Sequence, residues 1–196
     1  MSTQQVPGGA LEVPPLTPGA RRILEVASQL FYRHGIHAVG VDTIAAESGL
    51  TKRTLYDRFG SKEQLVATYL RARHQDWWRR MELRLAQQPD RPALALFDSY
   101  AQDAQPSDRG CAFINAAAEL PPEHPGRQVI QAHKRAVIDR LTELIGPDGG
   151  SGAGAAAAAE EVFLLLEGAL VHRGIDGDDH LLERAREAAA RRIARR

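Results

Sequence analysis

The stretch Val41–Lys62, VDTIAAESGLTKRTLYDRFGSK, decides how this chain is read. It divides into two short helices, Val41–Ser48 and Lys52 to about Phe59, hinged at Gly49-Leu50. A turn of three or four residues containing Gly joins two helices at a steep angle, so the stretch reads as helix–turn–helix. Thr51 suits the cap of the second helix, because its hydroxyl can accept a bond from an otherwise orphaned backbone N–H. Leu55 and Phe59 lie i, i+4 on one face and must point inward. Lys52, Arg53, Thr54, Tyr56 and Arg58 are left on the other faces of a helix that a core holds rigid. A short, basic, polar helix presented in this way suits a DNA major groove, which admits one α-helix.

Upstream, Thr17-Pro18 opens a helix, with Thr as N-cap and Pro in the first turn. Ile23, Val26, Ala27, Leu30 and Phe31 follow the i, i+3, i+4 spacing of one buried stripe, and Gly35 ends the helix. The stripe is expected to pack on Val41, Ile44, Ala45, Leu50, Leu55 and Phe59. That makes a three-helix domain over residues 17–62, a size that needs support from a further domain. Residues 1–16, rich in Pro and Gly, read as a mobile arm. Such an arm could touch a minor groove, but it lacks the Arg or Lys usual there.

Downstream, Ser61 can cap a long helix, Lys62 to about Gln87, that would bridge two domains. Further helices are expected over Ala93–Gln105, Arg109–Leu120, Pro125–Ile145, Ala155–Arg173 and Asp179–Ala194. Gly146-Pro147 stops the third of these, and the Gly-rich loop to Gly154 reads as flexible. No run alternates apolar and polar residues between turns, so the fold class is all-α with about nine helices, residues 63–196 forming the C-terminal domain.

Within the 196 residues, 43% hydrophobic and 26% charged content is ordinary for a globular protein. A formal net charge of zero argues against a wholly basic nucleic-acid coat protein, not against a local DNA-binding face. From Thr51 to Lys62, the cations Lys52, Arg53, Arg58 and Lys62 against Asp57 give four minus one, or +3. A single cysteine, Cys111, excludes an intrachain disulfide framework and fits a reducing cytoplasm. No export signal and no apolar run of about 18 residues is evident, so no membrane span is expected.

Enzyme chemistry finds no foothold: there is no G-x-S-x-G, no Walker A sequence and no H-E-x-x-H. Gly152-Ala-Gly154-Ala-Ala-Ala157 matches the dinucleotide fingerprint in letters, but no strand precedes it, and the fingerprint needs strand–turn–helix context. His34 and His37 stand i, i+3 with Gly35 between them and no further ligands to complete a metal site. No metal and no cofactor is expected.

Two features of the C-terminal domain call for partners. The helix at about 155–173 is apolar nearly all round, through Val162, Phe163, Leu164, Leu165, Leu166, Ala169, Leu170 and Val171. Together with Leu181, Leu182, Ala185, Ala189 and Ile193 of the helix at about 179–194, it could form a four-helix interface in a homodimer; the competing reading packs both inside the monomer. Aromatic residues with few polar groups are the usual lining of a small-molecule pocket, and Phe97, Phe113, Asn115 and His133 are the candidates here. Ordinary core packing is the competing reading for each.

The pattern VDTIAAESGLTKRTLYDRFGSKEQL, preceded by LFYRHGIHAVG, resembles the N-terminal domain of the TetR family of bacterial transcriptional regulators. The likeness covers about residues 17–70, where the IA, the GL turn, the TLY, Phe59 and the GSKEQL fall at family spacing. GCAFINAAAEL further resembles one branch of that family. The resemblance implies a homodimer on a pseudo-palindromic double-stranded DNA operator, with the second helix of the motif in the major groove. It also implies a small-molecule effector in the C-terminal domain that changes the spacing of the two reading heads, and, by family habit, a repressor rather than an activator. Carried over by position, Thr51, Lys52, Arg53 and Thr54 fall where the family reads bases or grips phosphates. Tyr56 falls at an aromatic that donates to a phosphate, Lys62 at a residue that meets the backbone, and Thr43 at a further phosphate contact.

On their own chemistry, Arg and Lys read guanine O6 and N7 or hold phosphate, and Arg53 is favoured for a base because its guanidinium is bidentate. Two positions depart from the family. Gly40 stands where many relatives have a capping Ser or Thr. Asp57 puts a negative charge in the reading helix, where it accepts from cytosine N4, pairs with Arg53 or Lys62, or faces solvent. The rival reading is a helical small-molecule sensor that does not read DNA.

Overall fold

The computed structural model describes residues 9–104, 109–146 and 152–194. Residues 1–8 of the expected arm, Gln105, and residues 147–151 of the Gly-rich loop lie outside them. The described residues form nine helices and no strand, which makes the protein all-α. In order these are α1 (Pro18–His34), α2 (Val41–Ser48), α3 (Lys52–Phe59), α4 (Lys62–Gln87), α5 (Pro92–Ala104), α6 (Ala112–Glu119), α7 (Pro125–Ile145), α8 (Ala153–Asp176) and α9 (His180–Ala194). No helix among them is long and apolar enough to cross a membrane.

The chain divides into two compact units. One comprises the residues up to Asp76 together with Ala112–His133, the other Trp77–Cys111 together with Lys134–Arg196. α4 and α7 each supply residues to both. Expected as a domain of residues 17–62, the reading head therefore shares its compact unit with the first part of α4, with α6 and with the start of α7.

In the first unit, Ile23, Leu24, Val26, Ala27 and Phe31 of α1 are buried, as are Ile44 and Ala45 of α2 and Leu55 and Phe59 of α3. α4 is buried at every residue from Leu65 to Leu70, and Tyr69 meets Phe31 with ring centroids 5.6 Å apart. Local capping explains the helix ends. Thr17 Oγ1 accepts from Ala20 N (3.3 Å), and Ser61 Oγ accepts from Gln64 N (3.2 Å). Of the arm, residues 9–16 are irregular but not without contacts: Arg71 Nε donates to Ala10 O (3.1 Å) and Gln75 Nε2 to Leu11 O (3.4 Å).

In the second unit, α5, α8 and α9 pack on one another around Leu96, Phe97, Val162, Leu166, Leu170 and Ala189. Bidentate Arg186–Asp98 contacts of 2.5 and 2.8 Å tie α9 to α5, and Arg192 pairs with Glu161 of α8. Several expected boundaries move. α6 begins at Ala112 rather than Arg109, because Gly110 adopts φ 63° where the chain runs against α8; a Cβ there would sit 2.9 Å from Leu170 O. α8 runs past Arg173 to Asp176, and Gly174 lies within it at the closest approach to Arg109. α9 starts after Asp178, whose carboxylate accepts from His180 N (3.0 Å).

Candidate nucleic-acid interface

α2 and α3 meet at a tight turn. Gly49 is left-handed (φ 70°), its N–H donates to Ala46 O (3.3 Å), and Leu50 N donates to Ala45 O (3.2 Å). Thr51 then caps α3 by accepting from Thr54 N (3.1 Å), and its hydroxyl lies 2.9 Å from that of Thr54. Both threonine hydroxyls are thus engaged with each other at the helix start. Leu55 and Phe59 anchor the inner face. The rest of α3 is outward: Lys52, Arg53, Tyr56 (45% exposed), Asp57 and Arg58.

The cations are not equivalent. Lys52 pairs with Asp42 in the first turn of α2, and that hydrogen bond holds its pKa above the usual lysine range. Sequence reasoning passed over Asp42, since no short-range spacing rule joins it to a residue ten positions on. Arg53 has a side chain 91% exposed, against 53% for Lys52, with only a loose 3.9 Å approach to Asp57 one turn later. Of the alternatives for Asp57, pairing with Arg53 and facing solvent both describe it.

Lys62, expected to meet the DNA backbone, also has a partner within the chain. Its Nζ donates to Ile36 O (2.7 Å) in the α1–α2 turn, and burial pushes its pKa down against the nearby Glu63 and Glu119. An ammonium has three donors, so this bond leaves capacity for a second acceptor. Gly40 is the N-cap of α2 and offers no side-chain acceptor, so the first-turn N–H groups of that helix gain no side-chain cap. Thr43 is exposed in the same turn. The start of α2 and the outer face of α3 are therefore the polar surface of the helix–turn–helix.

The four expected pocket residues are divided. Phe113, Asn115 and His133 belong to the first unit and Phe97, fully buried, to the second. Phe113 stacks on His133 with centroids 3.7 Å apart and planes 8° apart, and His133 Nδ1 lies 3.0 Å from His74 Nδ1. Burial lowers the His74 pKa to about 4. Asn115 lies elsewhere, in a narrow cleft with Phe31, Tyr32, Ile36, Tyr69 and Glu119. Among the described residues, no group of three or more His, Cys, Asp or Glu could hold a metal ion.

The sequence pattern of "Bacterial regulatory proteins, tetR family" matches residues 23–69, which run from α1 into α4. The HTH-type transcriptional activator FasR of Mycolicibacterium smegmatis is 42% identical over 55 residues, 28% of this chain but only a quarter (25%) of FasR. The crystal structure of SCO4454, a TetR-family transcriptional regulator from Streptomyces coelicolor, is similar over 90% of this chain and 92% of that one, at 30% identity and a TM-score of 0.76. The SmeT–triclosan complex shares the fold at 18% identity, covering 88% of this chain and 90% of that one, with a TM-score of 0.67. FasR and SCO4454 are by name regulators of transcription, not enzymes. With one relative matched over nearly its whole length and the family pattern lying on the helix–turn–helix itself, this chain belongs to the TetR family of bacterial transcriptional regulators.

Proposed function

We propose that this protein is a cytoplasmic, ligand-responsive repressor that binds a pseudo-palindromic operator as a homodimer. The observation that carries the DNA-reading part is the mounting of α3. Two buried anchors, Leu55 and Phe59, and a hydroxyl cap fix an eight-residue helix whose outer face carries Lys52, Arg53, Tyr56 and Arg58. Arg53, whose side chain is freer than that of Lys52, is assigned to a base edge, and Lys52, Tyr56, Thr51, Thr54 and Thr43 to phosphates or neighbouring bases. The uncapped N-terminus of α2 suits a phosphate for the same dipolar reason that any helix start favours an anion. Lys62 is assigned to the backbone through the donors left after Ile36.

Dimerisation is supported by an apolar groove along α8 and α9, lined by Leu164, Leu165, Gly168 and His172 on one side and Leu181 and Ala188 on the other. Leu164 is 69% and Ile175 70% exposed on α8, an arrangement that a second copy would bury in a four-helix contact. The effector is assigned to the first unit beside Phe113 and His133, as a small and largely apolar molecule with one or two polar groups. Triclosan, bound in the SmeT complex, is of that kind. Effector and operator then compete through one conformational equilibrium, and each must weaken the other equally.

Selection of bound duplexes from a random pool tests the reading. It should enrich two inverted half-sites, and a reporter carrying the enriched site should be silenced when the full chain is present. Enrichment of no sequence would end the DNA-reading proposal, and increased transcription would replace the repressor by an activator, as FasR is by name.

A further inference from the structure

The turn from Gly35 to Gly40 joins α1 to α2, and it is held from two directions at three successive residues. From the start of α4, Lys62 Nζ donates to Ile36 O (2.7 Å). From the last residue of α6, Glu119 Oε2 accepts from the backbone N–H of His37 (2.8 Å), and the Glu119 carbonyl oxygen lies 2.8 Å from His37 Nε2. Gly35 completes the fit. It is buried with φ 88°, and a Cβ there would stand 3.0 Å from Glu119 Oε1 and 3.2 Å from Oε2. Any side chain at Gly35 would be strained at that φ, and its Cβ would oblige the carboxylate to shift by a few tenths of an ångström.

These contacts differ in kind from those that fold the head. α1, α2 and α3 are joined by buried apolar residues, among them Ile23, Ile44 and Leu55. The Glu119 contacts are polar and reach an exposed residue, His37. They act on the segment that ends at Gly40, where α2 begins without a side-chain cap. A carboxylate on a backbone N–H is a charge-assisted bond, stronger than a neutral one, and here it fixes direction more than it fixes fold.

We propose that Glu119 is a positioning residue for the reading head: its carboxylate, seated on the Gly35–His37 turn, sets the angle of the α2–α3 pair that a two-half-site operator requires. This rests on the DNA-reading proposal above. The residue touches no DNA; it acts through His37 and the turn.

The test uses the full chain and two duplexes: the enriched two-half-site DNA, and the same duplex with one half-site scrambled. Wild type should prefer the first. Glu119→Ala should lose about tenfold or more in affinity for the two-half-site duplex, within the usual range of coupling between sites, and little on the single half-site, where no second head must be aligned. Glu119→Gln, whose amide oxygen still accepts from His37 N–H, should recover most of the loss. The His37 amide should exchange faster with solvent in Glu119→Ala than in wild type or Glu119→Gln. Equal losses on both duplexes would mean that Glu119 only stabilises the head, and an unchanged His37 exchange rate or an unchanged affinity would also overturn the proposal. Wild type that prefers neither duplex marks a different failure, that of the DNA reading itself, and removes the positioning role with it.

Discussion

The outward face of α3 carries Lys52, Arg53, Tyr56, Asp57 and Arg58, whereas the outward face of α8 carries Leu164, Val171 and Ile175. Each is what remains after a helix has filled a core, α3 with Leu55 and Phe59, α8 with Val162, Leu166 and Leu170. The remainders differ in the solvent they tolerate. The α3 face is hydrated when free and gains by exchanging water and counterions for phosphate, so its binding falls with salt. The α8 face gains by leaving water altogether, at about 25 cal/mol per Å² of apolar surface, and salt barely weakens it. A helix's unspent face thus tells the class of its partner, even where it does not tell the partner's identity.

The largest effect should come from spoiling the apolar face. Leu164→Glu with Ile175→Glu would force two carboxylates per chain into a dry contact. Dimer association should weaken by about a thousandfold or more, since each unpaired buried charge costs several kcal/mol. Sedimentation at micromolar concentration should then show monomer with unchanged helix content, and a dimer that persists would move the interface elsewhere. Next in size, Arg53→Ala should relax preference at one operator position by ~1–3 kcal/mol if it reads a base. Equal loss on every operator variant would assign it to phosphate, whatever its exposure.

Smaller effects separate the surface from the interior. The pH sensitivity of the first unit should arise at its buried histidines, where burial lowers the pKa of His74 and also that of His124, and His74 foremost. Its folded pKa of about 4 lies below the ordinary 6.5, so between those values the unfolded chain binds more protons than the folded one. Stability should therefore be full above about pH 6.5 and be lost as pH falls towards 4. His74→Gln should flatten the thermal unfolding midpoint over that window, and an unchanged slope would assign the sensitivity to another group. The smallest effect concerns Asp42, which pairs with Lys52 beside the DNA-facing surface. Asp42→Asn should tighten binding to all duplexes alike and only slightly, as an exposed ion pair allows, in a titration at low salt.

What could be read from the residues alone was governed by distance along the chain. The hydroxyl cap at Thr51, the turn at Gly49, the stop at Gly35 and the cap at Ser61 act within a few positions, and the structure has each where local rules put it. The helix–turn–helix was legible for that reason. Glu119 grips a turn 82 positions away, and no short-range rule reports such a contact. The bond from Lys62 to Ile36 O was hidden for the same reason, because its acceptor is a backbone carbonyl 26 positions away. Gly110 shortens α6 only because α8 runs alongside. The candidate pocket was the least legible part: aromatic content is shared by cores and binding sites, and Phe97 proved to belong to a different compact unit from Phe113, Asn115 and His133.

The central claim is that the outer face of α3 binds DNA, and a salt titration of the full chain on its enriched duplex tests it most directly. A surplus of three cations per head over Thr51–Lys62, in two heads, suggests about six phosphates neutralised. The logarithm of affinity should then fall linearly against the logarithm of salt concentration with a slope of about −5, and scrambled DNA should bind more weakly at every point. A slope near zero, or one curve for both duplexes, would contradict the account.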